Sequence, residues 1–168
     1  METVTVETVI RAPVELCFDA ARDLDLHMQS VAHTGEQAIA GRTSGLIEMG
    51  EEVTWRARHF GVIQHFTSRI TAFDRPVYFQ DSMQRGAFKS FVHDHRFISE
   101  GPATRMVDVL AFSAPLGFLG RIAERLLLRS YLCRLLELRA STIKRAAEVD
   151  PEYTSLVEIE KKRLPVRP

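Results

Sequence analysis

Between residues 37 and 112 apolar and polar side chains largely alternate, and that period of two constrains the chain more than any other feature it has. Successive side chains of a β-strand point to opposite faces, so alternation marks a strand with one buried face. The stretches 37–40, 52–59, 62–73, 77–83, 88–98 and 104–112 read this way, as does the β-branched run 3–10. The breaks between the later strands are turn formers: Gly41-Arg42-Thr43-Ser44-Gly45, Phe60-Gly61, Asp74-Arg75-Pro76, Arg85-Gly86 and Glu100-Gly101-Pro102. Short turns join antiparallel neighbours, so the expected architecture is a meander of about seven strands.

Two regions change period. After the first strand, Pro13 suits a helix start, Glu15 favours its positive end, and Val14, Phe18 and Ala21 form an apolar stripe. Asp23 or Asp25 is placed to cap a second short helix carrying Leu24, Leu26 and Met28. From 121 to 148 the spacing is helical again, with Ile122, Leu126, Leu132, Leu135, Leu136, Ile143 and Ala147 as the expected buried stripe. With 168 residues, 45% of them apolar, the chain suffices for one core, expected over 1–148 and followed by a tail over 149–168.

Composition removes several functions. Lys+Arg and Asp+Glu are both 22, so no net positive field draws in nucleic acid. Cys17 and Cys133 stand in apolar helical patterns with no Cys-x-x-Cys or Cys/His spacing, which predicts reduced core residues. The chain opens directly on an alternating segment and has no apolar run of membrane-spanning length, so the expectation is a soluble, cytoplasmic protein without a leader. There is no Gly-x-Gly-x-x-Gly or P-loop, and Ser113 and Ser130 lack a nucleophile-elbow context.

Polar residues on the apolar parity point to a site. One face of three strands reads Val77, Phe79, Asp81, Met83, then Phe91, His93, His95, Phe97, then Met106, Asp108, Leu110, Phe112. Two carboxylates and two imidazoles on a buried face must satisfy one another or line a wet cavity. Residues two apart on a strand lie about 6.5 Å from each other, so His93 and His95 can share a partner. Three readings stand: metal ligation with Asp81 or Asp108 as third ligand, an Asp-oriented His moving a proton, or a hydrogen-bonded network in the cavity wall. The last is the default, and neither metal nor cofactor is expected.

The order of one strand, two short helices, six antiparallel strands and a long helix is that of the α+β helix-grip fold, in which a curved sheet wraps the last helix and leaves a cavity. With Ala12-Pro13 and Pro115-Leu116-Gly117, this order resembles the START-like (SRPBCC) superfamily of polyketide cyclases, dehydrases and lipid-transfer proteins over 1–148. Phe79-Gln80-Asp81, Gly86-Ala87-Phe88, His93-Asp94-His95-Arg96-Phe97, Asp108 and Pro115 resemble its bacterial cyclase/dehydrase branch, sometimes labelled cell-division inhibitor, with Ala87 where that branch has Pro. The resemblance implies a fold and leaves the chemistry open.

The expected function is binding of a small apolar or amphipathic molecule. Trp55, Phe66, Phe79, Met83, Phe91, Phe97, Leu110, Phe112, Leu132 and Leu136 are its expected apolar contacts, and His93, His95, Asp81 and Asp108 its polar end. A cyclase or dehydrase using the same four residues is the alternative. His27, His33 and His59 read as solvated and His65 as surface. The Arg121, Arg125, Arg129 ridge is a solvated face or a contact for an anionic partner. In the tail, Leu156, Val157 and Ile159 are candidates for a homodimer contact, the basis of a third reading as an interaction module.

Overall fold

The structure, a computed structural model, describes residues 1–115 and 124–149. Strand β1 (Glu2–Ile10) leads into helices α1 (Val14–Ala21) and α2 (Leu24–Ser30) and a 3₁₀ turn at Ala32–Thr34. Strands β2 (Gln37–Gly41), β3 (Glu52–His59), β4 (Val62–Asp74), β5 (Tyr78–Arg85), β6 (Ser90–Glu100) and β7 (Ala103–Ser113) follow. A π-helical turn, Glu124–Leu128, precedes helix α3 (Arg129–Val149).

The strands form one antiparallel sheet in the order β1-β7-β6-β5-β4-β3-β2. The β4–β5 ladder jumps register at Thr67/Ser68 and at Ile70/Ala72, and β2–β3 jumps at Ala38/Ala40. Each jump leaves a residue unpaired and bends its strand, which lets the sheet curve. Helix α3 lies along β1 and against α1 and α2, burying Leu132, Leu136, Ala140, Ile143, Ala146 and Ala147. Asp23 caps α2 by accepting from the Asp25 and Leu26 amides, at 2.9 and 3.1 Å. Phe18 of α1 meets Phe73, Phe79 and Phe97 edge-on at 5.3 to 5.4 Å, closing one end of the core.

Three sequence expectations change. Val77 is not in a strand: its amide closes a turn onto the Asp74 carbonyl, and the side chain is exposed. Leu126, expected in the buried stripe, is 76% exposed, because the π-helical turn breaks the 3.6-residue period that would have turned it inward. Cys17 is buried, whereas Cys133 is only half-buried and faces Glu137 one turn on. Ile122, Arg121, the side chain of Arg125 and residues 150–168 lie outside the described residues, so the basic ridge and the tail contact rest on sequence alone.

Candidate functional site

The His/Asp group forms because neighbouring strands come into register at alternate residues. Asp81 of β5 stands opposite His93 of β6, and Asp108 of β7 stands opposite His95. The two carboxylates thus occupy diagonal corners around a pair of imidazoles whose ring centres are 3.8 Å apart. His95 Nδ1 lies 2.7 Å from Asp108 Oδ1, and its Nε2 lies 3.0 Å from Asp81 Oδ2. A neutral imidazole has one N–H, so satisfying both carboxylates takes a second proton, on the ring or on a carboxyl. Phe79 stacks on the His95 ring at 4.1 Å and shuts it off from solvent completely.

His93 is held less well. Its Nε2 is 3.1 Å from Asp108 Oδ1 in an ion-pair contact that does not meet hydrogen-bond geometry, and its Nδ1 is 3.9 Å from Asp81 Oδ2. Burial and the neighbouring His95 push the His93 pKa down to about 4, against the pull of both carboxylates. Burial alone would raise Asp108 and Asp81. Contacts with the two rings outweigh it and hold both below the ordinary carboxylate range, Asp108 far below.

These residues form part of a cavity of about 310 Å³ between sheet and α3. Asp81 and His93 line it; His95 and Asp108 do not, and stand behind them as supports. Of the expected apolar contacts, Trp55, Phe66, Phe79, Phe91, Leu110, Leu132 and Leu136 line the cavity. Three do not. Phe97 packs into the core against Phe18 and Phe79, Phe112 packs against Phe88, and Met83 lies over Gly86, where a Cβ would meet its sulfur at 2.7 Å.

A second polar group on the wall corrects the reading of two histidines as solvated. His27 stacks on Trp55 at 4.7 Å and its Nε2 lies 2.6 Å from Glu36 Oε1. His59 Nδ1 meets the Tyr131 hydroxyl of α3 at 2.6 Å, and its Nε2 is 4.0 Å from Glu36 Oε2. Phe60, at the tip of the β3–β4 hairpin, also packs on Tyr131, at 4.7 Å. Burial would raise Glu36, but the His27 contact and nearby positive charge bring it below the usual carboxylate value; burial lowers His59. His33 and His65 are exposed, as expected. His59 shares the inward parity of Trp55 and Ala57, a signal that was available in the sequence; Glu36 carried none.

A third cluster supports the floor. Asp19 of α1 is fully buried, with Arg22 at 2.9 Å and Arg75 at 2.8 Å, and Arg22 also reaches Glu48 at 2.7 Å. Arg139 of α3 lines the cavity, and its guanidinium donates to the Ala21 carbonyl. No helix among the described residues is long and apolar enough to cross a membrane.

No family model matches the chain, and no curated protein matches it either. Solved structures do. TTHA0849 from Thermus thermophilus is 20% identical, with 88% of this chain and 100% of that one aligned at a TM-score of 0.68. A START superfamily protein from Mycobacterium smegmatis is 14% identical, covering 86% and 96% at 0.65. The major latex-like protein 151 of Panax ginseng is also 14% identical, covering 87% and 97% at 0.64. At these identities the likeness establishes the fold: the chain adopts the START-like helix-grip architecture.

Proposed function

We propose that this chain binds a small, mostly apolar molecule in the cavity between sheet and α3, with a polar end of the molecule held at His93 and Asp81. The observation that carries this reading is the cavity: about 310 Å³, walled chiefly by Trp55, Phe66, Phe79, Phe91, Leu110 and residues of α3, with a predominantly apolar surface between its polar patches. That size is at the lower end of small-molecule sites, and an apolar wall with sparse fixed polar groups is their usual make-up. His93 on β6 and His59 at the end of β3 mark two separate polar regions of the wall, on strands three apart in the sheet. A guest with an apolar body and a hydroxyl, carbonyl or acid group fits this layout.

Trp55 is the only tryptophan in the chain and lines the cavity, so its emission reports on occupancy. Titration with anilinonaphthalene sulfonate should change that emission saturably, and Leu136→Trp, which narrows the space, should suppress uptake of the probe. Absence of saturable uptake by the folded protein would refute the reading. A second reading, a cyclase or dehydrase acting on a bound carbonyl, draws on the same wall, with His93 and Asp81 as the groups in reach of the guest and His95 and Asp108 as supports.

A further inference from the structure

The hydrogen bonds of the His/Asp cluster leave it incomplete. His95 has a carboxylate at each ring nitrogen, whereas His93, with only 6% of its side chain exposed, has neither nitrogen well paired. A buried polar group without a partner is costly, on the order of 1–3 kcal/mol. The orphaned nitrogen is Nε2, on the Asp108 side of the ring, which leaves Nδ1 on the side of Asp81. One ligand atom from each of Asp81, His93 and His95 lies within 4.8 Å of the others, with His95 Nε2 at 3.0 Å and His93 Nδ1 at 3.9 Å from Asp81 Oδ2. An ion bound at about 2.0–2.2 Å by nitrogen and oxygen donors needs them roughly 3–4 Å apart, so small side-chain shifts bring the three into range.

We propose that Asp81, His93 and His95 bind a divalent transition-metal ion that opens onto the cavity, with Asp108 as the positioning residue behind both rings. Imidazole that binds a metal through one nitrogen usually gives its other N–H to a carboxylate, and Asp108 Oδ1 sits 2.7 Å from the far nitrogen of His95 and 3.1 Å from that of His93. Charge favours the same occupant. Ligation requires both carboxylates ionised and both rings neutral, and a divalent ion then makes the buried group neutral. Arg139 is the opposing cation, and its guanidinium is engaged by the Ala21 carbonyl. Two nitrogens and one oxygen select zinc, iron, cobalt, nickel or copper over calcium and magnesium. Asp81 and His93 line the cavity, so an ion held there would take the polar end of a guest. The site uses residues of the proposed binding cavity and does not depend on the guest.

The test begins with chelator-stripped protein titrated calorimetrically with zinc chloride and followed by visible absorption with cobalt chloride. The expected result is one saturable site per chain, with cobalt bands showing nitrogen and oxygen coordination. Asp81→Asn and His93→Ala should each weaken binding at least about tenfold, and Asp108→Asn about tenfold or more with displaced cobalt bands, a change that lost stability alone does not cause. His33→Ala and His65→Ala, both on the surface, should bind as the unaltered protein does. Folding of each variant is checked by circular dichroism, and Asp81→Asn keeps shape and volume should His93→Ala fail to fold. No saturable binding, or binding retained in the folded Asp81→Asn protein, overturns the proposal. Probe uptake by the metal-free protein, read at Trp55, tests the cavity separately.

Discussion

Asp108 is where stability and site meet, and its replacement separates charge from shape. The side chain is 4% exposed, and a single oxygen, Oδ1, faces both imidazoles at 2.7 and 3.1 Å. Asp108→Asn keeps an acceptor there and removes the charge. A hydrogen bond to a charged group contributes about 1.5–3 kcal/mol and a neutral one about 0.5–1.5, so the expected loss is about 1–2 kcal/mol. Asp108→Ala also leaves the His95 Nδ1–H buried without an acceptor and opens a void, and its expected loss is about 3–5 kcal/mol. For a chain of this length each kcal/mol moves the melting temperature by about 2–4 °C, so the Asn variant should melt roughly 2–8 °C lower and the Ala variant roughly 6–20 °C lower. Thermal melts by circular dichroism on chelator-treated protein at neutral pH read both. An Ala variant melting within about 1 °C of the unaltered protein would refute the idea that this cluster ties β5, β6 and β7 together.

Asp19→Asn should cost about 1.5–3 kcal/mol by urea denaturation, because it takes the charge from the buried acceptor that Arg22 and Arg75 share while Glu48 still faces Arg22; a loss under about 0.5 kcal/mol would contradict that. Ala57 lines the cavity, so Ala57→Phe should occupy its space, lowering probe affinity about tenfold while shifting the melting temperature by no more than about 3 °C. A much larger drop in melting temperature would mean that the space is already filled. Glu36 has its pKa lowered by folding from 4.5, so its contribution is present above about pH 4.5 and fades as pH falls through the folded value. The stability gap between the unaltered protein and Glu36→Gln should therefore be full near pH 6 and shrink on acidification, and a gap that widens there would reverse the assignment.

Much of the framework could be read from residue order, since alternation and turn formers report local physics. The inward parity of Phe79, Asp81, His93, His95, Asp108 and Leu110 holds in the structure. Parity does not encode register, however. That Asp81 stands opposite His93 and Asp108 opposite His95 depends on how the β5–β6 and β6–β7 ladders are set, and this decides which residues face the cavity and which stand behind. The bends in the β4–β5 ladder were equally hidden, being departures from alternation too short to see. Glu36, His27, His59 and Tyr131 come together from four separate segments, so no window of sequence contains them. Asp19 and Arg22 did offer a signal, three residues apart on a helix, yet nothing local showed that both would be buried. Leu126 failed for the converse reason, since a π-helical turn changes the period on which the expectation rested.

An open, guest-holding space under the sheet should show in the mass of freshly purified protein, compared under native and denaturing conditions. The folded chain should carry a small molecule that is released on unfolding and is absent from Leu136→Trp. A folded protein that carries no added mass, and whose Trp55 emission is unchanged by every apolar probe offered, would contradict it.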